Sequence, residues 1–131
     1  MTAVKILVVD DDKKILDLIA LTLSQKGYQV MTAQNGAEAI QKSQTQIPDF
    51  IVADLMLPDM NGAEVVKIIC EKNKSKRLAA IFLTGMITKE EEKENEVAIH
   101  VSNVWYRTLA KPFEQDKLLG LINLWLKTRQ A

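Results

Sequence analysis

Residues 50–62 read FIVADLMLPDMNG, a short apolar run that ends in one aspartate, Asp54, and continues into a cluster of turn-forming residues. Short apolar runs bounded by Pro, Asp, Asn and Gly are typical of buried strands that reach the surface in a loop. An aspartate at such a place often does no more than start the turn. Whether Asp54 has a chemical role therefore depends on which other side chains the fold brings close to it.

The composition restricts the class of protein. The 131 residues suit one domain, 1–131 with a core from about 4 to 127, and are too few for an additional output domain. Seventeen basic and seventeen acidic side chains cancel, so no net charge attracts nucleic acid or an anionic membrane. The apolar run at 6–9 is too short for a signal peptide or a membrane span. We expect a cytoplasmic protein without nucleic-acid or membrane partners.

Short runs rich in Val and Ile alternate with longer segments of helical period, which is typical of an α/β domain with a parallel sheet. The predicted strands span residues 5–9, 28–33, 50–53, 79–83 and 105–109. The predicted helices span about residues 13–26, 36–45, 62–72, 88–100 and 115–127. Right-handed crossovers favour the flavodoxin-like strand order 2-1-3-4-5. We predict a doubly wound five-stranded parallel sheet with five helices.

Polar side chains follow the strands at the edge where ligands bind in such folds. In the order 2-1-3-4-5 the first and third strands are neighbours, so Asp10 and Asp11 should lie beside Asp54. Three carboxylates in one pocket repel unless a cation joins them, and oxygen ligands suit Mg²⁺ better than zinc. The fourth and fifth strands bring Thr84 and Lys111 to the same edge. The sequence therefore predicts a magnesium site beside a hydroxyl and an ammonium group.

Four motifs, in this order, resemble the receiver domain of bacterial two-component response regulators. They are VVDDD at 8–12, DLMLPDMNG at 54–62, FLTG at 82–85 and KPF at 111–113. Each motif alone is weak evidence, whereas all four in register are strong evidence, and the resemblance covers nearly the whole chain. The resemblance implies a phosphorelay protein in which Asp54 accepts a phosphoryl group from a sensor histidine kinase or a histidine phosphotransfer protein, with Mg²⁺ required.

The resemblance also implies roles for the residues around Asp54. Asp11 and Asp54 would bind the metal directly, Asp10 mainly through a water, and Met56 through its backbone carbonyl. Thr84 and Lys111 would hold the phosphoryl oxygens. In this family the residues at positions 56 and 86 influence access of the hydrolytic water, and two methionines there predict slow autodephosphorylation.

The chemistry requires these residue types independently of the family. A carboxylate is a nucleophile at neutral pH, so Asp54 needs no general base. The difficulty is that an anion attacks an anionic phosphoryl group, and Mg²⁺ with Lys111 would neutralise the charge of the transition state. We expect a protein that assists only its own phosphorylation and dephosphorylation, is not otherwise an enzyme, and signals through a downstream partner protein.

Two features depart from the family pattern. The position three residues before the lysine, which usually holds an aromatic residue that turns inward on phosphorylation, is Thr108, and Tyr106 is a candidate substitute. The segment between the fourth and fifth strands is longer than usual and contains TKEEEKENE at 88–96. This acidic stretch is either a solvated helix face or a docking element. In the family that the sequence resembles, the predicted helix at 88–100 and the fifth strand form a surface where receivers meet partners or dimerise, so this surface is a candidate homodimer interface.

Other functions explain the sequence less well. A phosphohydrolase resembling the haloacid dehalogenases would use Asp10 as nucleophile, but Lys14 stands where that family usually has Thr or Val, and residues 54–62 would have no role. A vestigial receiver that serves only as an interaction module conflicts with the intact set of site residues. His100, the only histidine, lacks the neighbours that a phosphoryl carrier would need.

Overall fold

The computed structural model describes residues 3–73, 78–85 and 105–129. The strands are β1 Lys5–Val9, β2 Gln29–Ala33, β3 Phe50–Asp54, β4 Ala79–Thr84 and β5 Trp105–Ala110. The helices within the described ranges are α1 Lys13–Gln25, α2 Gly36–Thr45, α3 Gly62–Lys72 and α4 Gln115–Arg129. The helix predicted at 88–100 lies outside the described residues.

The five strands form one parallel sheet in the order β2-β1-β3-β4-β5, which confirms the predicted topology. Every residue of β3 and β4 is buried, as expected for central strands covered on both faces. Both strands extend one residue further than predicted, because Asp54 pairs with Leu83 and Thr84 pairs with Ala110. Two of the predicted site residues are therefore the last residues of strands.

Among the described residues, two helices pack on each face of the sheet. Ile6 and Val8 point into a core closed by α1 and α4, whereas Leu7 and Val9 point into a core closed by α2 and α3. In the first core the ring of Trp125 meets that of Phe50 edge-on, with centroids 4.9 Å apart. In the described part of the chain, no helix is both long enough and apolar enough to cross a bilayer.

The helices that follow β1, β2 and β3 each begin at a side-chain cap near the carboxyl edge of the sheet. Asp12 accepts from the backbone N–H groups of Lys14 and Ile15 at the start of α1. Asn35 and Asn61 cap α2 and α3 in the same way. Such caps satisfy backbone donors that the helix itself leaves unpaired. The loops at this edge are therefore fixed at the helix starts.

Candidate functional site

The register of the sheet brings three carboxylates together. β1 and β3 pair with Val9 opposite Ala53, so Asp10 and Asp54 emerge side by side at the carboxyl edge. One carboxylate oxygen from each of Asp10, Asp11 and Asp54 lies within 4.8 Å of the others. Asp10 and Asp54 are buried, whereas Asp11 is exposed. The cluster is therefore open to solvent on one side.

Lys111 links two of these carboxylates. Its Nζ donates to Oδ2 of Asp54 at 2.8 Å and to Oδ2 of Asp10 at 3.0 Å. The lysine reaches them because it follows β5 directly and its backbone N–H donates to the carbonyl of Thr84 at 2.8 Å. The Lys111–Pro112 peptide bond is cis, whereas most bonds that precede proline are trans.

Both carboxylates also accept from backbone N–H groups. Oδ1 of Asp10 accepts from Asp12 at 2.9 Å, and Oδ1 of Asp54 accepts from Met56 at 3.1 Å. Each oxygen of Asp10 and Asp54 thus has a protein donor. Because Asp10 has no exposed surface, its carboxylate is poorly placed to act as a nucleophile.

The pKa values of Asp10 and Lys111 are both displaced upward. Burial raises the pKa of Asp10 and the charge of Asp54 adds to it, while the donors Asp12 and Lys111 act in the opposite direction. For Lys111, burial alone would lower the pKa, but the hydrogen bonds to Asp54 and Asp10 and their charges outweigh it. The ammonium therefore stays charged and compensates part of the buried negative charge.

The loop from β3 to α3 turns back tightly on the end of β3. The backbone N–H of Gly62 donates to the carbonyl of Leu55 at 2.8 Å, and Met56 and Asn61 form an isolated antiparallel bridge. A Cβ at position 62 would overlap the carbonyl oxygen of Asp54. Glycine is thus required for the close approach that shapes this loop.

Sequence reasoning missed one contact of this loop. The carboxylate of Asp59 accepts from the backbone N–H groups of Gly36 at 2.8 Å and Ala37 at 2.9 Å, at the start of α2. These hydrogen bonds lower the pKa of Asp59. An aspartate after a proline in a turn cluster gives a local signal for a turn, but nothing in the sequence indicates a partner 23 positions away.

Of the remaining candidate residues, Thr84 and Thr108 lie in the described part of the structure. Thr84 is buried at the end of β4, and Gly85 after it is exposed, with space for a Cβ. Thr108 is half-buried in β5 opposite Phe82. The predictions that concern Met86, His100, the acidic stretch 88–96 and the side chain of Tyr106 lie outside the described part of the structure.

Cys70 has no part in this site. It lies half-buried in α3, among the residues packed on the second core. Burial and the charge of Glu71 raise its pKa to about 11. The thiol is therefore protonated at neutral pH and is not a nucleophile.

The donor set fits a hard divalent cation. Among the described residues, the cluster offers carboxylate oxygens only, without histidine or cysteine. Oxygen ligands with one side open to water are the arrangement in which proteins bind Mg²⁺. The three carboxylates also carry more negative charge than Lys111 compensates.

Comparisons with known proteins agree on one family. The sequence model of the response regulator receiver domain matches residues 6–123. The chain is 40% identical over 124 residues to the alkaline phosphatase synthesis transcriptional regulatory protein PhoP of Bacillus subtilis, covering 94% of this chain and 48% of that protein. It is 33% identical over 127 residues to the transcriptional regulatory protein DltR of Streptococcus agalactiae, with coverages of 97% and 53%. The chain spans about half the length of these relatives.

Solved structures show the same fold. The CheY-like receiver domain protein of Methanospirillum hungatei superposes with a TM-score of 0.78 at 26% identity, covering 98% of each chain.

Proposed function

Because the chain belongs to the response regulator receiver domain family, we propose that it is a signalling switch controlled by phosphorylation of Asp54. The observation that carries the proposal is the contact of the Lys111 ammonium with both Asp54 and Asp10. This contact places a fixed positive charge beside the carboxylate that would receive an anionic group. The phosphoryl donor is a sensor histidine kinase or a histidine phosphotransfer protein.

Asp11 and Asp54 hold Mg²⁺ directly in this proposal, assisted by Asp10 and by the backbone carbonyl of Met56. The exposure of Asp11 supports a direct role, because its carboxylate can exchange water for a ligand. Both oxygens of Asp10 already accept hydrogen bonds, from Asp12 and Lys111, which supports a less direct role for Asp10 in metal binding. When bound, Mg²⁺ supplies the positive charge that three carboxylates and a phosphoryl group require.

In the proposed reaction an oxygen of Asp54 attacks the phosphorus of a phosphohistidine. A new oxygen–phosphorus bond forms, and the nitrogen–phosphorus bond of the donor breaks with its electron pair left on the imidazole. Lys111 already donates to Oδ2 of Asp54, so it needs only to exchange one acceptor for a phosphoryl oxygen. The hydroxyl of Thr84 holds a second phosphoryl oxygen. The aspartyl phosphate adds negative charge at the carboxyl edge of the sheet, which is the signal.

The signal leaves through contacts with another protein in the cytoplasm. The balanced charge of 17 basic and 17 acidic side chains gives the chain no general attraction to DNA. The matched relatives are named as transcriptional regulatory proteins and are about twice as long. A link to transcription would thus require a DNA-binding region or a DNA-binding partner in addition to this domain.

Beryllofluoride, which binds to aspartate as a mimic of an aspartyl phosphate, tests this proposal without a kinase. We expect it to shift the backbone amide NMR signals of Met56, Gly85 and Lys111, only with Mg²⁺ present and not in the Asp54→Asn variant. Identical shifts in that variant would contradict the proposal. Turnover of a generic phosphomonoester that is lost in Asp10→Asn would favour the hydrolase instead.

A further inference from the structure

The loop that carries Met56 is anchored to a helix outside the site. This loop, residues 55–61, leaves β3 at Asp54 and enters α3 at Gly62. Asp59, three residues after Met56, accepts from the N–H groups of Gly36 and Ala37 at 2.8 and 2.9 Å. Charged acceptors at a helix start bind these unpaired donors strongly. The middle of the loop is thereby fixed to α2.

A second contact supports the same anchor. The side chain of Met60 lies so close to Gly36 that a Cβ there would overlap its Cγ and Sδ. Met60 also packs against the core formed with α2 and α3. The loop therefore meets the start of α2 through one polar and one apolar side chain at consecutive positions.

The anchored loop reaches the site through Met56. Its backbone N–H donates to Oδ1 of Asp54 at 3.1 Å, and its bridge to Asn61 closes the loop. Under the proposed function, the carbonyl of this residue is also a metal ligand. A displacement of the loop would thus disturb two groups that face the ion.

We propose that Asp59 is a positioning residue for the magnesium site. By holding the loop on α2, it keeps the Met56 carbonyl and the Asp54 carboxylate in the arrangement that the ion requires. Without this anchor the loop samples more conformations, and ordering it on binding lowers the affinity. The inference rests on the proposed function, because it concerns the ion that this function requires.

Isothermal titration calorimetry at 20 °C compares the Mg²⁺ affinity of the unmodified protein with that of two variants. Asp59→Asn removes the charge and one of the two acceptors. Glu64→Gln removes the same charge from an exposed side chain in the first turn of α3 and is the matched control. We expect Asp59→Asn to bind Mg²⁺ about three- to tenfold more weakly. This loss is at or below the lower end of the roughly 10- to 100-fold loss known for residues that hydrogen-bond directly to metal-binding side chains. Glu64→Gln should bind within about twofold of the unmodified protein, since exposed charges are screened.

The outcomes separate the two proposals. If the unmodified protein binds Mg²⁺ and Asp59→Asn binds it equally well, the positioning role is wrong and the proposed function stands. If the unmodified protein does not bind Mg²⁺, both fail. A purely structural role would lower the melting temperature of Asp59→Asn and leave its Mg²⁺ affinity at 20 °C unchanged, which also contradicts the inference.

A measurement on the unmodified protein completes the test. Coupling between two sites is reciprocal, so an anchor that strengthens Mg²⁺ binding must itself be strengthened by Mg²⁺. Amide hydrogen exchange of Gly36 and Ala37 should therefore slow about three- to tenfold on saturation with Mg²⁺, in line with the affinity change. Exchange that does not respond to Mg²⁺ would overturn the proposal.

Discussion

Lys111 and Asp54 are 57 positions apart in the chain, yet Nζ of the lysine donates to Oδ2 of the aspartate at 2.8 Å. The contact depends on the sheet, because β3 and β5 both flank β4 and end at the same edge. The same ammonium donates to Asp10 from β1. Lys111, which follows β5, thus binds one carboxylate at the end of β1 and one at the end of β3. Its removal should weaken the packing at the ends of all three strands.

Replacing Lys111 by methionine should destabilise the metal-free protein. The change leaves the buried Asp10 and Asp54 without their cation, and Lys111 is itself 21% exposed, so the loss should be smaller than for a fully buried pair. We expect the free energy of unfolding at pH 7 to fall by about 1–3 kcal/mol in urea titrations. Mg²⁺ should restore part of it, since a ligand that binds only the folded state stabilises it.

Lys13→Met is the control for that experiment. Lys13 pairs with Asp17 on the surface of α1, where the lysine side chain is 71% exposed. Surface pairs of this kind contribute about 0.2–1 kcal/mol at most. Equal losses in the two variants would show that Lys111 does not compensate buried charge.

The stability of the protein should depend on pH through Asp10. Its pKa is raised in the folded state, mainly by burial, so the folded protein binds this proton more readily than the unfolded chain. The stabilisation from the protonated form is complete below the ordinary value of 3.8 and is lost as the pH rises through the folded-state pKa. At pH 7 the charged carboxylate therefore costs stability.

Asp10→Asn should accordingly be more stable than the unmodified protein at pH 7, in urea titrations without metal. The difference should shrink as the pH falls and vanish below 3.8, where Asp10 is protonated in both states. The variant should also bind Mg²⁺ about tenfold more weakly, or worse. A variant that is less stable at pH 7 would contradict the assignment of burial as the dominant effect.

Gly62→Ala should destabilise the protein by about 2–3 kcal/mol, because the new Cβ overlaps the carbonyl of Asp54 and forces the loop away. Gly120→Ala is the control. Gly120 is exposed within α4 and a Cβ there meets nothing within 4 Å, so this change should stabilise by about 0.5–1 kcal/mol. Thermal unfolding of both variants measures the difference, and equal effects would show that the close approach at position 62 is unimportant.

The parallel sheet was predictable from the sequence because β1, β3 and β4 are apolar apart from Lys5, Asp54 and Thr84 at their ends, as expected for central strands covered on both faces. The order 2-1-3-4-5 was then favoured by right-handed crossovers. The meeting of Asp10 and Asp54 follows from that order, since both come at the ends of neighbouring strands. The predicted role of each individual site residue came from the motifs and their resemblance to receiver domains, not from the periodicity of the chain.

Other contacts were beyond sequence reasoning. The anchor between Asp59 and α2 joins a loop to a helix start that lies earlier in the chain, where Met60 also lies close to Gly36. Local propensity predicts a turn at Asp59 but cannot supply its partner. Likewise, an ammonium at the carboxyl edge was predicted, but not that it would contact Asp10 and Asp54 together.

Intact mass spectrometry after incubation with acetyl phosphate, beside the Asp54→Ala variant, measures directly whether Asp54 accepts a phosphoryl group. We expect one added phosphoryl group that requires Mg²⁺, is removed by hydroxylamine as an acyl phosphate should be, and is absent from the variant. Addition at Asp10 would show that Asp54 is not the acceptor, and the absence of any addition together with no Mg²⁺-dependent binding of beryllofluoride would show that the protein is not phosphorylated.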